Sequence, residues 1–163
     1  YHVPPFKELI NVCPSGLTLL LDLKDDQPRF IDALVTTLTN TNTRVIFQSH
    51  SLSTLRALSD RLHKPTLLFL SSLDREGAFN TVPHANAIAR RLVENNIQGI
   101  SAKGRQFVTK DFVSEFKTRG LTYYVWTINK TDRMEYYIGC GVDGIITDRP
   151  DLFPQSPKVD QPE

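Results

Sequence analysis

The chain has 163 residues, 40% of them hydrophobic and 23% charged, with a formal net charge of +1. That is one domain's worth of sequence, long enough to bury a sizeable core, and its near-neutral balance gives no electrostatic case for nucleic acid or an anionic membrane surface. No apolar run reaches the roughly 20 residues of a membrane span, and the two cysteines, Cys13 and Cys140, give neither a disulfide framework nor a metal-ligand spacing. Two such thiols suit a reducing compartment, weakly the cytoplasm. The chain opens at Tyr1 rather than Met, so its first residues say nothing about export.

Residues 1–12, YHVPPFKELINV, predict an extended entry through Pro4 and Pro5, then a short helix with Phe6, Leu9 and Ile10 on one face. Residues 17–24, LTLLLDLK, form a nearly continuous apolar run, which suits a strand buried on both faces of a parallel sheet. Asp22 and Lys24 sit within it. Alternation puts both on one side, near the strand's C-terminal end. Burying either charge alone is costly, so the two imply a shared site or an ion pair.

Residues 28–40 predict a helix with Phe30, Ile31, Leu34, Val35 and Leu38 on one stripe. Residues 44–48, RVIFQ, predict the next strand and leave Ser49 and His50 at its C-terminal end. His50 reads as a surface or packing residue opening the helix over 51–63. TLLFL, 66–70, is a third buried strand. The polar loop 71–82 carries Asp74, Arg75 and Glu76, a solvated charge cluster in the kind of segment that often contacts substrates.

Pro83 opens a helix running to about Asn95, with Ala87, Ile88, Leu92 and Val93 apolar and His84 in the first turn. IQGIS, 97–101, predicts a short strand followed by Lys103 and Arg105. A basic pair at a strand exit can hold a phosphate, although exposed loop charges are the commoner explanation. Residues 109–119 predict an amphipathic helix with Phe112, Val113 and Phe116 inward, Thr109 as its cap and Gly120 as its stop. Residues 121–126, LTYYVW, are rich in pleat formers and end at Trp126. Thr131 or Asp132 caps a helix to about Gly139, Gly141 and Gly144 turn the chain, and Ile145 and Ile146 begin a last strand. The tail 154–163 holds three prolines and reads as a linker or frayed end beyond a domain of residues 1–153.

Six predicted strands alternating with helices mean a parallel sheet with right-handed crossovers. An open doubly wound sheet and six-eighths of a (β/α)8 barrel fit equally well, since the barrel needs eight strands. No Gly-rich phosphate loop follows the first strand, which argues against a nucleotide or flavin domain. In either architecture ligands bind at the C-terminal strand ends.

VWTIN, followed about fourteen residues later by GVDGIITDRP, resembles the closing strand pair of the glycerophosphodiester phosphodiesterase family. Asp22-Leu23-Lys24 resembles that family's Glu-x-Lys, with an acid one methylene shorter, and Ser49-His50 stands where the family has Ser-Phe. The resemblance implies an incomplete (β/α)8 TIM-barrel fold of about six β/α units, corresponding to barrel strands three to eight. It implies metal-dependent hydrolysis of a small-molecule glycerophosphodiester to glycerol phosphate and an alcohol. Asp22 would be a ligand of a divalent metal, Mg or Ca. Lys24 would be the catalytic ammonium near the phosphate, Trp126 and Ser49 would contact substrate, and Asp148 would cap the closing loop. The family's opening His-Arg-Gly, with a Glu-Asn soon after it, and its Glu-x-Asp do not occur: His2 is followed by Val3. The expectation is that an N-terminal barrel segment or a partner chain supplies them. The alternative is a non-catalytic, barrel-like module that binds a partner or a lipid headgroup.

Overall fold

A computed structural model of the protein describes residues 3–153 apart from 15, 40, 42, 64 and 72–80. The loop bearing Asp74, Arg75 and Glu76 and the tail from Pro154 lie outside the described residues. The strands are β1 (Thr18–Asp22), β2 (Arg44–Ser49), β3 (Thr66–Ser71), β4 (Gly99–Lys103), β5 (Thr122–Trp126) and β6 (Gly144–Ile145). The helices are α1 (Phe6–Val12), α2 (Pro28–Leu38), α3 (Leu52–Ser59), α4 (Val82–Glu94), α5 (Lys110–Lys117) and α6 (Thr131–Gly139), with a 3-10 turn at Pro150–Leu152. None of these helices is long and apolar enough to cross a membrane.

All strand pairs are parallel, and the sheet order is β1-β2-β3-β4-β5-β6. This decides between the two architectures. A doubly wound sheet reverses its strand order at a switch point, with helices on both faces. Here the order never reverses, so successive right-handed crossovers set the helices on one side and the sheet curls into part of a (β/α) barrel.

The register sorts the side chains into two layers. Phe47 pairs with Leu67 and Ile100 with Tyr123; all four lie on one face of the sheet, nearly or fully buried, and they pack into one cluster with Leu34, Leu55, Leu92, Phe112 and Phe116 of the helices. This outer layer is the main core. Leu20, Ile46, Gln48, Leu68, Leu70, Ser101 and Tyr124 belong to the opposite, concave face.

Tyr123 shows what the outer layer costs and gains. Its ring meets Phe116 edge-on at 5.0 Å and Phe112 at 6.5 Å, a geometry that adds to area burial. Its hydroxyl is fully buried without a hydrogen-bond partner among the described residues, and burial pushes the phenol far above its ordinary pKa. A buried polar atom left unsatisfied costs about 1–3 kcal/mol. Tyr123→Phe is therefore expected to raise the midpoint of urea denaturation; a lower midpoint would show that the hydroxyl has a partner.

Three local expectations are corrected. Lys130, not Thr131 or Asp132, occupies the N-cap position of α6, because Thr131 already has helical geometry, and no side-chain cap bond forms. In α4 the buried stripe is Ala85, Ala89 and Leu92, while Val93 stays half exposed. Two alanines one turn apart let the helix lie close to the sheet, which selects that stripe over its neighbour. Gly141 does turn the chain, with φ +85°, but Gly144 does not. It pairs with Tyr124 in the sheet, and a Cβ there would stand 2.4 Å from the tyrosine ring. Other local readings hold: Thr109 Oγ1 accepts the Phe112 N–H, and Gly120 ends α5 at φ +72°.

Candidate active site

The C-terminal ends of the strands form a rim above the concave face. At β1, Lys24 Nζ donates to Asp22 Oδ2 at 2.7 Å. The ladder continues past the strand, since Leu23 N–H donates to the Gln48 carbonyl at 2.8 Å, so alternation keeps Asp22 and Lys24 on one side. Both are exposed at the rim. Asp22 pairs in register with Gln48, which places both on the concave face.

Trp126 ends β5 opposite Lys103 of β4, on that same face. The indole is half-buried, and its Nε1–H donates to the Ser101 carbonyl at 3.0 Å. This bond fixes the ring against the β4 backbone. Asp22, Lys24 and Trp126 thus share the concave face, with Asp22 and Lys24 in contact and Trp126 four strands along the sheet.

Ser49 is placed differently. It pairs in register with Phe69, on the side that meets the helices, and is 3% exposed. Its Oγ accepts the Ser51 N–H at 3.1 Å and donates to the Leu23 carbonyl at 3.5 Å. Those bonds tie the ends of β1 and β2 together. The structure does not bring Ser49 to the face that carries Asp22. His50 is exposed at the bend beyond it, and Ser51 rather than His50 caps α3 by accepting the Thr54 N–H.

The β5 and β6 exits are stapled by Asn129. Its Oδ1 accepts from Thr147 Oγ1 at 3.0 Å and from the Asp148 N–H at 2.9 Å, while its Nδ2 donates to Asp148 Oδ2 at 2.9 Å. Asp148 therefore serves the closing loop. Beyond it, the Arg149 guanidinium grips Asp151 through two nitrogens and holds that carboxyl below its ordinary pKa, chiefly by hydrogen bonding.

Among the described residues no group of three or more His, Cys, Asp or Glu side chains could hold a metal ion. Asp22 is the carboxylate that the β1 exit offers. A divalent cation with hard oxygen ligands takes six or more of them, so Asp22 fits as one ligand and the described residues do not complete the set.

Sequence reasoning passed over Gln48 and Ser101, which are buried on the concave face. It set Lys103 among loop charges, yet Lys103 is the last residue of β4 and half-buried. Only the pairing register shows which face they share.

A parallel, sequentially ordered, curled sheet with charged and aromatic side chains at its C-terminal rim defines part of a (β/α)-barrel protein, a fold whose sites form at that end. The model of the glycerophosphoryl diester phosphodiesterase family matches residues 17–152, and the chain belongs to that family. Solved structures agree in fold. A candidate glycerophosphoryl diester phosphodiesterase from Silicibacter pomeroyi DSS-3 superposes with a TM-score of 0.76 at 22% identity, over 93% of this chain and 55% of that one. The glycerophosphodiester phosphodiesterase of Thermotoga maritima gives 0.67 at 18%, over 91% and 62%. An Oleispira antarctica phosphodiesterase, solved with the product sn-glycerol-3-phosphate, gives 0.58 at 19%, over 74% and 45%. The chain thus spans roughly half the length of the structures it resembles. None of the curated proteins matches it.

Proposed function

We propose that this chain forms barrel strands three to eight of a glycerophosphodiester phosphodiesterase, and that a further segment or a partner chain supplies the two strands that close the barrel. The carrying observation is the Asp22–Lys24 contact at the β1 exit, on the face that also presents Trp126. Asp22 would be one ligand of a divalent metal, Mg or Ca, which when bound clamps phosphate oxygens and offsets their charge. The other ligands would come from outside the described residues. Lys24 places a positive charge where the departing and attacking oxygens gain negative charge. Trp126, held by the Ser101 carbonyl, makes an apolar wall for the glycerol or alcohol group. Ser49 fixes the rim's shape by joining the β1 and β2 exits. The shortage of metal-ligand clusters among the described residues is what favours the rival reading, a non-catalytic barrel relative.

The test is turnover. The full-length protein incubated with a glycerophosphodiester and Mg or Ca is expected to release glycerol phosphate and the free alcohol. Absence of product from a folded, full-length preparation would leave the binding module.

A further inference from the structure

Two side-chain oxygens on the concave face, Gln48 Oε1 and Ser101 Oγ, are buried and have no hydrogen-bond partner among the described residues. The residues are 6% and 0% exposed. Gln48 is the register neighbour of Asp22, and Ser101 lies two residues before Lys103 on β4, so both sit just below the rim. Alternate strands, here β2 and β4, contribute inward side chains to a common barrel layer. Lys103 stands above Ser101 beside Trp126, half-buried and with no ion pair or hydrogen bond among the described residues. Two other half-buried cations contrast with it: Arg119 pairs with Glu115, and Arg133 donates to Tyr137.

Unsatisfied buried polar groups are rare and call for an explanation. Here an acceptor, a hydroxyl and an ammonium belong to one face of the sheet, the ammonium opposite an indole. We propose that Gln48, Ser101 and Lys103 form the subsite for the substrate's alcohol group and select a hydroxyl-rich, neutral or anionic group over a quaternary ammonium. The inference rests on the phosphodiesterase reading, with the phosphate placed at Asp22 and Lys24. A polyol donates to Gln48 Oε1, exchanges hydrogen bonds with Ser101 Oγ and accepts from Lys103 Nζ. A trimethylammonium offers no N–H or O–H, leaves all three unmatched, and meets the like charge of Lys103. A site built to hydrogen-bond a hydroxyl rejects the analogue lacking it far more strongly than an apolar pocket does.

The experiment measures binding and turnover separately on the full-length protein, using glycerophosphoinositol and glycerophosphocholine. Calorimetry is expected to show the inositol ester bound at least about tenfold more tightly. Lys103→Met, a rim substitution of similar length, should shrink that preference to within about threefold, by weakening the inositol ester and relieving the repulsion of the choline ester. Ser101→Ala should weaken the same ester in a second, independent variant. Equal affinities in the parent protein, tighter binding of the choline ester, or a preference that Lys103→Met leaves unchanged would overturn the subsite. A preference without turnover of either ester would uphold it while sinking the hydrolase; turnover without preference would do the reverse.

Discussion

Lys24→Ala should lower kcat/KM of the full-length protein for glycerophosphodiesters about 10²–10³-fold, the loss seen when one group aimed at developing oxyanion charge is removed. Asp22→Asn should fall at least as far, about 10²-fold or more, because it would also remove the proposed metal ligand. Neither change should disturb folding. The pair's side chains are 71% and 37% exposed, and ion pairs so open to water contribute about 0–1 kcal/mol. At this chain length that is at most about 2–4 °C in Tm. The two readouts together discriminate. If the contact at the β1 exit were only an ion pair that tidies a strand end, the variants would lose neither activity nor stability. If it were a structural keystone, Tm would fall along with activity. Unchanged turnover in both variants would remove Asp22 and Lys24 from the site and the main support for the proposed mechanism.

The contact was legible in the sequence because it depends on one strand alone. Period-2 alternation puts residues 22 and 24 together whatever the rest of the chain does. Element order was legible for a similar reason: long apolar runs, Pro28 and Pro83 at helix starts and Gly120 at a helix end are local signals. What could not be read is whatever depends on cross-strand register. In strands apolar on both faces, composition does not mark the side that faces the helices. Gln48 was therefore passed over and Ser49 read as a residue of the strand end, when the register puts Gln48 on the concave face and Ser49 on the side that meets the helices. The Trp126 anchor is a carbonyl 25 residues away, which no periodicity reveals. Gly144 was read as a turn because a glycine near Gly141 suggests one, whereas its missing side chain makes room for the Tyr124 ring.

The opposite signature is expected in the layer between sheet and helices. Phe116 on α5 is fully buried and lies edge-on to Tyr123 at 5.0 Å, with Phe112 at 6.1 Å. Removing a buried phenylalanine ring forfeits its transfer energy and leaves a cavity, together about 3–5 kcal/mol. A domain's whole stability is about 5–15 kcal/mol, so Phe116→Ala should lower Tm by about 6–20 °C, at about 2–4 °C per kcal/mol. Phe116→Leu should lose less, since it keeps more of the volume. Well below the new midpoint, kcat/KM should stay at the parent value, because Phe116 lies on the face away from Asp22, Lys24 and Trp126. A double-mutant cycle with Tyr123 should return about 0.5–1.5 kcal/mol for the ring pair. A loss below about 1 kcal/mol for Phe116→Ala would mean that α5 is not packed on β5 as described. The helices would then not force the sheet to curl, and the side chains assigned to the concave rim would lose the geometry that gathers them.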